Sequence, residues 1–372
     1  MIAVAVAAVL LGGCAPADSG VGGSSGSNAP MRSTRAETAV RPTGAETTTV
    51  VRPPAGSPTT APTPPAPTAP GGSTVRDSHI LYSGVPRGQS THQIFRMRAD
   101  GTDPVQLTSD PTSEHNWPRP SPDGSKILFY KAVPGSTVTD IDTNNLWVMD
   151  ADGSNERLLL ADGAHGWTRQ GHVEWSPDGT RLIMSAGGSS TTDLYVTDPE
   201  GGDPTKVTDR SYHMAIDPSW APDGRSALFI GCPRGSYTCW WWEYEVHRID
   251  LTTGVEERLT VDSFADFDPY MSPDGTQIVW LRCTGSFPFG PWGIFRASAG
   301  SAPMQPTAVV DDGNINSSVY FSDDGSTMLF SRHVIGVTTW QSAAVVGTDG
   351  SGLGFVGGAP AASGQGTPVY WP

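Results

Sequence analysis

The sequence predicts an all-β fold: a six-bladed β-propeller closed by its own C-terminal strand, preceded by a signal peptide and a disordered linker. Three observations carry the prediction. First, a stiff turn recurs five times, as Ser121-Pro122-Asp123-Gly124, Ser176-Pro177-Asp178-Gly179, Ala221-Pro222-Asp223-Gly224, Ser272-Pro273-Asp274-Gly275 and a degraded Ser322-Asp323-Asp324-Gly325. Its aspartates stand 55, 45, 51 and 50 residues apart, a period typical of repeat architectures. Second, each turn lies between short runs rich in β-branched and aromatic residues, and none of these runs has the 3.6-residue apolar period of a helix. Third, the two ends of the chain complement one another, as the blade-by-blade reading shows.

Residues 1–13 read as a lipoprotein signal peptide. The opening apolar run of 11 residues is too short to span a bilayer and has the length of a signal-peptide core. It ends in Leu11-Gly12-Gly13-Cys14, which resembles a bacterial lipobox, although no Lys or Arg precedes the run. That resemblance implies acylation of Cys14 and stable anchoring through two or more acyl chains. Residues 14–75 are Gly/Ser-rich and then Pro/Thr/Ala-rich, a composition that predicts a disordered tether. As a flexible coil such a tether spans roughly 40–45 Å. The string from Gly22 to Gly26 matches G-x-S-x-G, but it sits in low-complexity sequence without the strand and helix that a nucleophile elbow requires.

Residues 76–372 supply the blades. Proline presets φ in each turn and glycine accepts positive φ, so each turn predicts a tight antiparallel hairpin. The returning strands are 126–130, 181–185, 226–230, 277–281 and 327–331. Third strands follow at 145–153, 193–201, 244–254, 293–300 and 342–350, and each leads into a short fourth. Four antiparallel strands per repeat of about 50 residues is the unit of a propeller. Ahead of the first turn lie 79–84, 92–101 and 104–108, a blade that lacks its innermost strand. The chain ends in Thr367-Pro368-Val369-Tyr370-Trp371-Pro372, which reads as that missing strand. Closure by 367–372 leaves six blades and no open sheet edge.

The repeated pattern, seen in full in Val173-Glu174-Trp175-Ser176-Pro177-Asp178-Gly179 followed by Leu194-Tyr195-Val196, resembles the TolB-like propeller repeat, which also occurs in prolyl oligopeptidases. The resemblance covers about 76–372. TolB itself carries an N-terminal α/β domain where this sequence has an anchor and a linker, and no hydrolase domain is expected in these residues.

Charge narrows the function. After residue 75 the chain carries 19 basic and 35 acidic residues, and such a surface repels phosphate backbones. Nucleic acid is therefore excluded as a partner. In a propeller, ligands commonly collect where the inner strands begin. Counting back from each turn gives His115, Gln170, His172, His213, Asp217, Asp266, Asp268, Asn314 and Asn316 as channel-mouth candidates. Three histidines and two successive blades of carboxylates suit a divalent metal if they converge, and some oligogalacturonate lyases with related propellers use a His-rich metal site. Asp217 and Asp268, each before proline, equally suit a structural role bonding backbone N–H groups.

The segment 232–246 contains Cys232 and Cys239 around a short excursion. An exported protein keeps disulfides, so Cys232–Cys239 is the expected bridge, with Cys239–Cys283 as the alternative. Trp240, Trp241 and Trp242 cannot all face inward on a strand. With Trp292 on the next blade they are either a surface platform for a partner or glycan, or inter-blade packing.

These readings converge on a monomeric propeller, lipid-anchored in a bacterial cell envelope on the outer face of the cytoplasmic membrane, or on the periplasmic side in a diderm cell. It acts as a non-catalytic scaffold for protein or envelope-glycan partners and needs no cofactor. Two rivals stand beside it: a metal-dependent polysaccharide lyase or hydrolase at the channel mouth, and an extracellular sensor domain.

Overall fold

A computed structural model describes residues 79 to 371 apart from 134–144, 189–190, 209–211, 234–242, 286–289, 336–339, 357–360 and 363–366. Among the described residues the chain is all-β, with one short 3-10 turn at Ala164–Gly166.

Six blades follow one another in chain order, and single parallel pairings join blade 3 to blade 4 and blade 5 to blade 6. Blade 1 contains β1 (His79–Gly84), β2 (Gln93–Arg98) and β3 (Val105–Gln106). Blade 2 is β4 (Glu114–Pro120), β5 (Lys126–Ala132), β6 (Asn145–Asp150) and β7 (Arg157–Leu160). Blade 3 is β8 (Arg169–Trp175), β9 (Leu182–Gly187), β10 (Thr192–Thr197) and β11 (Thr205–Lys206). Blade 4 is β12 (Tyr212–Trp220), β13 (Ser226–Pro233), β14 (Glu245–Asp250) and β15 (Glu256–Arg258). Blade 5 is β16 (Asp266–Met271), β17 (Gln277–Cys283), β18 (Trp292–Ser298) and β19 (Thr307–Val310). Blade 6 is β20 (Ile315–Phe321), β21 (Thr327–His333), β22 (Trp340–Gly347) and β23 (Gly354–Phe355), with β24 (Ala361–Ala362) also on β22. The last strand, β25 (Val369–Trp371), joins blade 1: Ile80 pairs with Tyr370 and Leu81 with Val369, antiparallel. The C-terminal strand thus closes the ring as the sequence predicts.

Closure is also visible in the packing. The six inner strands β4, β8, β12, β16, β20 and β25 each touch the next around a complete circle. Six apolar clusters fill the six gaps between blades. Leu128, Tyr130 and Leu182 pack blade 2 on blade 3, Ile216, Leu228 and Trp280 pack blade 4 on blade 5, and Ile80, Tyr82 and Leu329 pack blade 6 on blade 1. Each fully buried side chain of this size contributes about 1.5–3 kcal/mol, so both faces of every blade are committed to neighbouring blades.

The recurring turn has two structural duties. In blade 3, Ser176 Oγ donates to Asp178 Oδ1 at 2.6 Å and accepts from Arg181 N at 3.0 Å, while Thr180 N donates to Asp178 at 3.0 Å. Blades 2, 5 and 6 repeat the arrangement. Blade 4 has Ala221 instead, and there Ser226 N donates directly to Asp223 Oδ1 at 3.0 Å. Gly179 has φ 70°, and a side chain added there would lie 3.7 Å from Pro122 of the preceding turn. Gly275 meets Pro222 and Gly325 meets Pro273 in the same way. Three turns therefore nest on the one before, glycine against proline, while Gly224 of blade 4 meets nothing within 4 Å.

Cys232 is disulfide-bonded, to a partner outside the described residues. Cys283 is free and buried, which rules out the alternative Cys239–Cys283 bridge; burial pushes its thiol pKa up. Cys239 and Trp240, Trp241 and Trp242 lie outside the described residues. Trp292 is not a surface residue: it is 3% exposed and meets Phe267 edge-on in the gap between blades 5 and 6. Tight inter-blade packing accounts for it.

Candidate functional site: a ring of bulges around the channel

A strand projects its side chains onto the two faces of its sheet. Here both faces pack against other blades, and an inner strand turns a further side chain to the channel where its backbone leaves the regular pattern. Each inner strand does so at one position. Four residues before the turn serine or its counterpart stand Trp117, His172, Asp217, Asp268 and Ser318, and Thr367 precedes β25 at the same offset. All six are non-glycine residues with positive φ, between 41° and 58°. The pairing register slips by one residue just after this position in β4, β8, β12, β16 and β20. These are β-bulges, which re-aim a side chain, and the left-handed conformation is uncommon enough outside glycine to mark a constrained position.

Three of the six, His172, Asp217 and Asp268, come together. His172 Nδ1 lies 2.8 Å from Asp217 Oδ1, Asp268 N donates to Asp217 Oδ2 at 3.5 Å, and one ligand-capable atom from each residue lies within 4.8 Å of the others. Asp217 is 6% exposed. Trp117 meets the His172 ring edge-on at 5.8 Å.

Two residues nearer the turn, a second layer closes the channel beneath the first. Arg119 Nε donates to Glu174 Oε1 at 2.7 Å, and Tyr270 Oη donates to the same oxygen at 2.8 Å. Tyr270 and Tyr320 hydrogen-bond through their hydroxyls at 3.0 Å, and the Arg119 guanidinium lies 5.0 Å over the Tyr320 ring. Burial opposes the charge on Arg119, yet the tyrosines and Glu174 around it hold its pKa above the ordinary value. Burial pushes the pKa of Tyr270 and Tyr320 well up. Between the layers is a cavity of about 10 Å³ lined by Arg119, His172, Glu174, Asp217, Asp268 and Tyr270, room for one water-sized group.

The remaining sequence candidates do not converge here. His115, Gln170, Asp266 and Asn316 stand six residues before the turn, where the strand is regular, and all four side chains are buried in the sheet layers. His115 is 0% exposed and stacks on Phe129 at 5.6 Å. Gln170 donates to Ala161 O at 3.0 Å. Asp266 accepts Arg282 on both oxygens and Trp280 Nε1 on one; burial pushes its pKa up, against the pull of Arg282, to about 7. Asn316 donates to Trp292 O and accepts from Arg332. Asn314 is half-buried and accepts from Ile335 N. The backbone of His213 lies in β12, while its side chain is outside the described residues. A three-histidine centre is therefore not formed, since His115 faces the sheet interior and His172 the channel. Arg119, Glu174, Tyr270 and Tyr320 are absent from the sequence-based set. Their shared signal was the position two residues before each turn.

The fold and its bulged channel define a six-bladed propeller of TolB-like architecture. No family model matches the chain. TolB from Acinetobacter baumannii superposes with a TM-score of 0.59 at 17% identity, over 79% of this chain and 66% of that one. A putative TolB from Agrobacterium tumefaciens superposes with a TM-score of 0.55 at 18% identity, over 75% of this chain and 88% of that one. By sequence the chain is similar to the uncharacterized peptidase YuxL of Bacillus subtilis, 31% identical over 199 residues, and to the uncharacterized protein Atu1656 of Agrobacterium fabrum, 24% identical over 161 residues. Those matches take in 44% and 43% of this chain but only 28% and 48% of the two relatives. The structural likenesses speak for the fold alone.

Proposed function

We propose that the protein is a non-catalytic binding scaffold of the cell envelope, tethered through Cys14 by the segment 14–75, whose propeller engages a protein partner at its channel mouth. One observation carries the choice of scaffold over enzyme. Between the bulged ring and the layer of Arg119, Glu174, Tyr270 and Tyr320, the described residues enclose a cavity of about 10 Å³. That is smaller by far than a sugar ring or a peptide needs, since ligand pockets run to about 300–1,000 Å³. The acidic surplus of residues 76–372 favours a partner with a cationic face.

The reading of a metal-dependent lyase or hydrolase is favoured by the meeting of His172 with two carboxylates and opposed by the small size of the cavity that adjoins them among the described residues. A turnover screen of the full chain with added Mn2+, against acidic oligosaccharides and chromogenic peptides and esters, tests the choice. The scaffold reading expects no turnover; turnover abolished by His172→Asn would overturn it. For the anchor, radiolabelled palmitate is expected to enter the protein and to be lost in Cys14→Ala; labelling that survives the substitution removes the tether at Cys14.

A further inference from the structure

We infer that the rim of the mouth over blade 5, made by the loops 261–264 and 311–312, is a docking surface for a protein segment that carries an apolar side chain beside a lysine or arginine. The surface presupposes the scaffold reading and specifies where on the mouth the partner binds and by what chemistry. Three observations carry it.

The first is uncovered apolar surface. Val261 is 58% exposed and Phe264 40%, three residues apart in the loop that leads from β15 into the inner strand β16. A single exposed apolar side chain is ordinary. Two large ones in one short loop at a channel mouth form a place where a partner gains by covering them.

The second is that this loop is held from beneath. Phe264 N donates to Asp262 Oδ1 at 2.9 Å, Asp262 N donates to Glu245 Oε1 at 3.1 Å, and Arg282 Nη2 pairs with Asp262 Oδ2 at 2.8 Å. The Arg282 guanidinium also lies 5.1 Å from the centre of the Phe264 ring. Glu245 and Arg282 are both buried, so fixed charged groups support a ring whose other side meets water. A side chain already ordered in the free protein loses little freedom on binding, which favours it as an anchor.

The third is charge. Arg282 stands near the end of β17, and Thr284, two residues on, donates its hydroxyl to Asp311 Oδ1 at 3.1 Å. The end of β17 therefore ties both loops to one spot. Asp311 is exposed and has no cationic partner among the described residues. Among the described residues of the mouth loops, Asp162, Asp262, Asp311 and Asp312 are exposed carboxylates and Arg87 is the exposed guanidinium. Such a rim repels an acidic segment or an anionic membrane and draws a cationic one. A lysine or arginine on the partner also compensates Asp311 once the rim is covered.

The test uses the purified full chain and short fluorescent peptides of equal length, alternating Leu and Lys, Leu and Glu, or Ser and Lys, with binding read by anisotropy. The Leu/Lys peptide is expected to bind, the Leu/Glu peptide not to bind, and the Ser/Lys peptide to bind roughly tenfold more weakly or worse. Affinity for Leu/Lys should fall by roughly tenfold or more in Phe264→Ala. It should also fall in Val261→Ser, which alters no buried contact, and lose part of its salt dependence in Asp311→Asn. Val255→Ser, at an exposed apolar residue on the opposite end of the ring, should leave it unchanged. No binding of Leu/Lys, equal binding of all peptides, unchanged affinity in all three rim variants, or an equal loss in Val255→Ser would each overturn the surface. A protein crosslinked at the mouth beside any of those results would leave the scaffold reading standing and remove this surface alone.

Discussion

Arg119 in the second blade and Glu174 in the third are joined at 2.7 Å across the boundary between their blades, with side chains 6% and 17% exposed. Tyr270 from the fifth blade donates to the same carboxylate, so one oxygen gathers three blades. Removing one partner of a buried pair leaves a charge without compensation, which costs about 3–5 kcal/mol. Glu174→Ala is expected to lower stability by that order in urea unfolding. Tyr270→Phe, which removes one neutral donor, should cost about 1–1.5 kcal/mol. Equal and small effects would show that the layer does not hold the blades.

Ring closure depends on β25. Truncation after residue 366 removes the strand that pairs with Ile80 and Leu81 and exposes the inner edge of blade 1. The melting temperature is expected to fall by more than about 5 °C. An unchanged transition would mean that the first blade stands without its inner strand.

Blade 4 offers a gain. Ala221 stands where four other turns carry a serine whose hydroxyl links the aspartate to a backbone N–H. Ala221→Ser should restore both bonds and raise stability by about 0.5–1 kcal/mol. Chemical denaturation measures it. A loss would indicate that the buried site lacks room for the hydroxyl.

Three sets of groups set the acid response: Asp266, whose carboxyl burial lifts to about 7, gains stability as pH falls towards 3.8, while His247 and then the turn aspartates lose it. Burial, with Arg258 adding to it, lowers the His247 pKa from 6.5 to about 3. Above about pH 6.5 both folded and unfolded states hold this histidine neutral. As pH falls towards 3, the unfolded chain takes up a proton that the folded one refuses, so stability declines by at most about 1.4 kcal/mol per pH unit from this group. His247→Gln should flatten that stage. Below pH 3.8 the turn aspartates contribute. The Ser176 hydroxyl holds Asp178 down to about 2, and the Ser326 N–H does the same for Asp324. Their stabilisation is present above 3.8 and is lost between 3.8 and 2. A urea-midpoint series from pH 7.5 to 2.5, run beside His247→Gln, isolates the histidine, and the same pH profile for both proteins would contradict the assignment to His247.

The blades were legible because their signals are local: proline and glycine in a turn, alternating apolar strands, and a period long enough to count. Closure by Val369-Tyr370-Trp371 was readable from the same alignment. The channel site was legible only as a pool of residues. His115, Asp266 and Asn316 looked equivalent to His172, Asp217 and Asp268, being polar and just ahead of a turn. What separates them is a single bulge per strand, and a one-residue slip moves a side chain from one environment to another. No residue type announces that bulge, since tryptophan, histidine, aspartate, serine and threonine all occupy it. The turn fixes its place four residues away, so the offset and not the residue was the usable signal. Arg119, Glu174, Tyr270 and Tyr320 went unseen for the same reason, because a wall built from four residue types has meaning only once its positions coincide.

The central claim, a channel mouth that binds a protein partner, is tested most directly by photo-crosslinking the full-length protein in its own membranes. A photoreactive amino acid is placed at exposed Ser263, ahead of an inner strand, and separately at exposed Thr180, in a turn at the opposite end of the ring. One discrete crosslinked protein is expected from position 263, competed by unmodified protein, and none from position 180. Crosslinks from the turn end alone, or no protein crosslink from either position, would contradict it.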